Sequence, residues 1–182
     1  LGHTKLYDHM FIDGLEDAYT GAAMGTFAQK TADEHGLTRE AMDAFAIESL
    51  TRAQRAIDEG LNHKEIAPVT IRTRRGEHTV SADEQPHKAN LEKIPQLRPA
   101  FAENGTITPA NSSSISDGAS ALLLASEQAV ETHGLTARAR IVAHSRNSLA
   151  PEAFTLAPIG AAEDVLAKAG WSVADVDLWE IN

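Results

Sequence analysis

The 182-residue chain contains no cysteine, which excludes disulfides, zinc-thiolate sites and a cysteine nucleophile from within it. Aromatic residues are only 5% of the chain against 42% hydrophobic residues overall, so its core has to be built from Ala, Leu, Ile and Val. That composition suits α/β packing better than an all-β sandwich. Positive charge is scarce as well: 16 Lys and Arg against 26 Asp and Glu give a formal net charge of -10, the wrong sign for neutralising the many phosphates of a nucleic acid. A small phosphorylated ligand, which needs one or two local cations, stays open. No apolar run approaches the roughly 20 residues of a membrane span. From Leu1 onward there is no basic start followed by an apolar core, as a signal peptide would have. The expectation is a cytoplasmic protein with no nucleic-acid and no membrane partner. Eight histidines are scattered, with no pair at the spacing of a helical zinc site, and read as surface residues.

The length fits one compact domain or two small ones. In the first half, Thr38 predicts the N-cap of a helix whose Met42, Phe45, Ala46, Leu50, Ala53 and Ile57 follow the 3.6-residue period, with Gly60 as its stop. A shorter helix is expected over Met24 to His35, terminated by Gly36. PVTIR and HTV around Arg74, Arg75 and Gly76 predict a hairpin. From Asp83 to Pro109, four prolines and little periodicity predict a long irregular excursion, ordered through Leu91, Ile94, Leu97 and Phe101.

The second half changes character at Ser112. ALLLA, residues 121–125, is short and uniformly apolar and reads as a buried strand, followed by a helix over Glu127 to His133 between Ser126 and Gly134. ARIVAHS reads as a second strand and DVDLWEI as a third. Between them a helix opens at Pro158, shares a face through Ile159, Ala162, Val165, Leu166 and Ala169, and closes at Gly170. Strand, helix, strand at this separation predicts a right-handed βαβ unit, with ligand sites beyond the carboxyl ends of its strands.

TPANSSSISDGASALLLAS, Thr108 to Ser126, places Asn111, three serines, Asp117 and Gly118 directly against the apolar run. Hydroxyls and small residues in this density suit a helix cap, an anion cradle or close approach of backbone to a ligand.

Four blocks carry a family resemblance: DGLEDAYTGAAMGTFAQKTADEHGLTREAMDAFAIESLTRAQRAIDEG, LRPAFAENGTITPANSSSISDGASALLLAS, ARIVAHS and KAGWSVADVDLWEIN. In this order they resemble the middle of a thiolase, nearest the biosynthetic, acetyl-CoA acetyltransferase branch, over essentially the whole chain. The resemblance implies a part of the five-layered α/β/α/β/α thiolase fold. Residues 1–112 would be the loop domain and adjoining segment, 113–137 the end of the N-terminal core domain, and 138–182 the start of the C-terminal core domain. It implies an acyltransferase acting on acyl-CoA thioesters, with coenzyme A and acetyl-CoA as substrates, no permanently bound cofactor and no metal, and a homodimer or homotetramer for the intact protein.

By the same resemblance Ser113 matches a serine that contacts the pantetheine arm of coenzyme A. Serines 112–116 would equally cap a helix. Met24, in AAMG, matches a methionine near the acyl and pantetheine path, although Ala23 stands where many thiolases have histidine; a core gap-filler is the other reading. Phe101 resembles a residue beside the coenzyme's arm, and would look the same if purely structural. Phe154 falls where relatives line the acyl pocket, often with methionine. Asn182 corresponds to the asparagine that holds a water against the thioester carbonyl; capping a following helix is its alternative role. Arg72, Arg74, Arg75 and Lys88 form a basic cluster, expected as a solvated hairpin tip from which one cation, or Lys88, meets a phosphate of the coenzyme.

The resemblance puts the nucleophilic cysteine before Leu1, and the catalytic histidine and second cysteine beyond Asn182, so this chain alone is expected to be inactive and to leave sheet edges and apolar faces exposed. A non-catalytic binding module for coenzyme A or acyl-CoA is the competing reading, since it too accounts for the missing cysteine.

Overall fold

The computed structural model describes residues 2–181. Its longest helix, α2 (Arg39–Asp58), begins at the expected cap: Thr38 is extended, and its hydroxyl accepts from the N–H of Ala41 at 3.2 Å, satisfying one of the free donors of the first turn. The preceding helix, α1 (Met24–Glu34), gives way to Gly36 as expected. Along α2, Ala46 is buried, and Met42, Leu50, Ala53 and Ile57 are half-buried. Phe45, expected on that stripe, is instead 79% exposed, and Asp43 is buried in the same region of the helix. The stripe runs through positions 39, 43, 46 and 50, and Phe45 lies about 100° round the helix from Ala46. Asp43 tolerates burial because Arg39, one turn earlier, supplies its countercharge at 2.7 Å.

The expected hairpin forms from β1 (Val69–Thr73) and β2 (Gly76–Val80), antiparallel, with Val69 opposite Val80 and Thr73 opposite Gly76. The excursion that follows is ordered as expected, through two short helical pieces. These are α3 (Gln85–Lys88) and a 3-10 turn over Leu91–Gln96, and both pack on α2. The Gln54 amide donates to the Pro86 carbonyl at 2.6 Å, and Ile94 is buried.

Residues divide into two compact units, Ala28–Ser114 and the stretches on either side of it, up to Phe27 and from Ile115. Among the described residues the buried apolar side chains, Ala32, Ala46, Ile94 and Ile107, all belong to Ala28–Ser114. In the other unit, α4 (Glu127–His133) is capped by the Ser126 hydroxyl, which accepts from the Ala129 N–H. α5 (Ala157–Ala169) follows a 3-10 turn over Pro151–Leu156. Gly134 and Gly170 end the two helices in the left-handed conformation that glycine adopts without steric cost.

The three strands read from the second half are not formed as strands. Among the described residues the single sheet is β1–β2, and residues 121–125, 139–145 and 175–181 belong to no ladder. The expected βαβ unit is therefore absent among them, and the expected burial of ALLLA is reversed: Leu122, Leu123 and Leu124 are 90%, 86% and 73% exposed. An apolar run records the need for cover on both faces, but a strand also needs a neighbour for its backbone N–H and C=O groups. No described segment pairs with these three.

Candidate functional site

Thr108 to Ser112 folds into a turn closed by its own side chains. The Asn111 carboxamide accepts from the Thr108 N–H at 2.8 Å and donates to the Thr106 carbonyl at 2.9 Å, while the Ser112 hydroxyl donates to the Thr108 carbonyl at 2.9 Å. Thr108 is completely buried, and its hydroxyl accepts from the Ala110 N–H. Such side-chain bonds offer the backbone an alternative to a helix. Among the described residues no helix starts between Ser112 and Glu127, so the serines at 112–116 do not cap a helix as expected. Ser113 follows this turn directly; it is exposed, and its hydroxyl has no hydrogen-bond partner among the described residues.

The turn is anchored to α1 through Gln29, which is only 4% exposed. Its Oε1 accepts from the N–H groups of Thr106 at 2.9 Å and Ile107 at 3.1 Å, and its Nε2 donates to Asp33 at 2.8 Å and to the Thr106 hydroxyl at 3.3 Å. Gly105 makes the approach possible, because a Cβ there would stand 2.5 Å from Gln29 Oε1. The Ala100 N–H donates to the Ile107 carbonyl at 2.9 Å, closing a loop that carries Phe101. Phe101 is 37% exposed on this loop. Upstream, Arg39 donates to the carbonyls of Ile94 and Leu97 at 3.1 and 2.9 Å, fixing the chain that enters the loop.

Lys88 is exposed and paired to Glu84, the residue before its short helix, and this contact holds the Glu84 carboxyl below its ordinary range. Arg72 pairs with Glu77 at 2.8 Å across the hairpin, whereas Arg74 and Arg75 at its tip have no ion pair among the described residues.

In the other unit, Met24 is half-buried at the start of α1, beside a bond at 2.6 Å from the Thr26 hydroxyl to the Ala23 carbonyl. Phe154 lies on the 3-10 turn before α5 and lines an apolar groove of about 580 Å³ with Pro158, Ile159, Leu166, Trp179 and Ile181. The end of ARIVAHS and the residues just after it are tied to α5 by side-chain bonds: Ser145 donates to the Ala161 carbonyl at 2.6 Å, and Asn147 to the Ala157 carbonyl at 3.2 Å. Asn182 lies outside the described residues. Among the described residues, no three His, Asp or Glu side chains gather as metal ligands would.

The structure thus joins the segments of Phe101 and Ser113 through one buried hydrogen-bonded knot and ties Lys88 to its neighbour Glu84. Gln29 was not singled out by the sequence, where it is one polar residue among several in a helix. Arg39 and Asp43 left a signal, an acid on the apolar stripe one turn after a cation.

Two family models match the chain: the thiolase N-terminal domain over residues 1–128 and the thiolase C-terminal domain over residues 135–182. An acetyl-CoA acetyltransferase of Yarrowia lipolytica is 44% identical over 181 residues, covering 100% of this chain and 46% of that protein. An acetyl-CoA acetyltransferase structure from Bacillus anthracis superposes with a TM-score of 0.92 at 36% identity, over 98% of this chain and 45% of that one. A thiolase of Ascaris suum, solved in complex with coenzyme A, gives a TM-score of 0.90 at 38% identity, over 100% and 46%. The chain spans about half the length of the relatives it matches, and within that span it has the fold those structures have.

Proposed function

Because this chain belongs to the thiolase family, we propose that it serves in an acetyl-CoA C-acetyltransferase, an enzyme that condenses or cleaves acyl-CoA thioesters through an acyl-cysteine intermediate. The observation that carries the reading is 44% identity along the whole of this chain with 46% of an acetyl-CoA acetyltransferase. The polar knot that ends at Ser113, with its unbonded hydroxyl, supports it: this is a rigid mount for a group that meets a ligand.

In this reading a cysteine thiolate outside the chain attacks the thioester carbonyl, and coenzyme A leaves as its thiol after taking a proton from a histidine. A second acetyl-CoA then loses an α-proton to a second cysteine, and its enolate attacks the acyl-cysteine, forming the carbon–carbon bond and freeing the thiolate. Ser113 and Phe101 would hold the pantetheine arm, Met24 and Phe154 the acyl path, and Lys88 a phosphate. Lys88 would have to leave Glu84 to do so. Asn182 would orient the water that polarises the thioester oxygen. The domain limits 1–112, 113–137 and 138–182, a cytoplasmic location and a homodimer or homotetramer belong to the same reading.

Thiolysis of acetoacetyl-CoA by coenzyme A tests it. The protein as its gene encodes it should form two acetyl-CoA per turnover, and the 182-residue chain, without cysteine, none. The absence of cysteine also favours a second reading, a binding module for coenzyme A without turnover; saturable coenzyme A binding with no thiolysis by the gene-encoded protein would select it.

A further inference from the structure

We propose that Gln29 is a positioning residue for the coenzyme A site, setting the Phe101 loop and the Ser113 turn in one fixed relation. The inference rests on the reading above that Ser113 and Phe101 hold the pantetheine arm.

Both candidate ligand contacts lie on short irregular segments that meet at one stretch of backbone. Phe101 sits on a loop closed by the Ala100 N–H to Ile107 carbonyl bond, and Ser113 follows a turn built on Thr106 and Thr108. The two segments share the stretch Thr106–Thr108, and Gln29 holds that stretch by two of its three N–H groups, those at 106 and 107. Every polar atom of the Gln29 amide is used: Oε1 by two backbone donors, and Nε2 by Asp33 and the Thr106 hydroxyl. Asp33 therefore fixes which way round the amide lies, since a carboxylate accepts and forces Nε2 toward itself and Oε1 toward the backbone. The glycine at 105 lets the amide sit this close to the backbone, since a Cβ there would stand 2.5 Å from Gln29 Oε1.

Chemistry separates this role from simple burial. Gln29→Glu keeps the acceptor for Thr106 and Ile107 but loses the donor to Asp33 and sets two carboxylates one helical turn apart, which repel. Adding Asp33→Asn returns a donor from the other side and restores the orientation of the group at 29. A glutamine that merely fills space would show no such reciprocity.

The test uses the protein as its gene encodes it, with coenzyme A binding measured by titration calorimetry and amide hydrogen exchange followed at residues 106–114. Gln29→Ala should weaken coenzyme A binding by about tenfold, while kcat at saturation falls far less, and exchange should rise from Thr106 through Ser113. Gln29→Glu, checked as folded by circular dichroism, should weaken binding in the same sense, and Gln29→Glu with Asp33→Asn should recover most of it. The inference is overturned if Ser113→Ala weakens binding while the folded Gln29 variants bind normally. It is equally overturned if faster exchange stops at Ile107, or if the double substitution recovers nothing. No binding by the unsubstituted protein would instead overturn the coenzyme A reading of the site, and this inference with it.

Discussion

Asn147 occupies the space that a side chain at residue 160 would need: a Cβ on Gly160 would stand 2.3 Å from Asn147 Nδ2. The same amide donates to the Ala157 carbonyl, so the glycine and the asparagine together seat the loop before α5 on its first turn. Gly160→Ala gains about 1 kcal/mol of helix propensity but forces Asn147 off its acceptor, at a cost of similar size. The substitution should therefore be close to neutral alone and stabilising by about 1 kcal/mol in an Asn147→Ala background. Urea unfolding of the four members of this cycle measures the coupling, and additive effects would mean that the two residues do not constrain each other.

Arg39 is 20% and Asp43 6% exposed at their side chains, and Arg39 also holds the carbonyls of Ile94 and Leu97. Asp43 Oδ1 has no hydrogen-bond partner among the described residues, which leaves the arginine as the main compensation for a buried charge. Arg39→Ala should destabilise the protein by about 3 kcal/mol, and Arg39→Met with Asp43→Leu by clearly less, because the second variant removes the stranded carboxylate. Equal losses in the two variants would place the energy in the carbonyl contacts instead.

The caps and stops of α2, α4 and α5 were legible in the sequence because each is a local event: Thr38, Ser126, Gly134 and Gly170 act within a few residues of themselves. The family was legible for another reason, four motif blocks in one order. The strands were not, because ALLLA, ARIVAHS and DVDLWEI become strands only beside a partner, and periodicity does not say where that partner is. The burial of Asp43 was not anticipated, because it depends on the arginine one turn upstream making an acid acceptable on the inner face. Gln29 was illegible because the backbone groups it holds lie 77 and 78 residues away.

Asp17 accepts from the Thr20 hydroxyl and N–H, and Asp175 from the Ser172 N–H and hydroxyl; both carboxyls are held below their ordinary range by these bonds. A lowered folded-state value means that the stabilisation is complete above the unfolded carboxylate range and is lost as pH falls through the lowered value. Carboxyl titration by NMR should give midpoints below those of aspartates without such bonds, and Thr20→Val should raise that of Asp17. An unmoved Asp17 midpoint in Thr20→Val would assign the shift elsewhere.

Asn182→Ala, in the protein as its gene encodes it, should lower kcat by about 100-fold or more with KM little changed, since a donor that meets developing enolate charge acts mainly in the transition state. Melting temperature is measured on the same preparation. Near-normal turnover per folded molecule would leave Asn182 a purely structural asparagine.

The acyl-cysteine intermediate is the centre of this account, and intact-mass spectrometry of the gene-encoded protein after incubation with acetyl-CoA alone tests it most directly. The account predicts one acetyl group added per active site, located on a cysteine outside residues 1–182, with one coenzyme A released for each group added. A protein that binds acetyl-CoA saturably and reversibly, releases no coenzyme A and keeps its unmodified mass would contradict it.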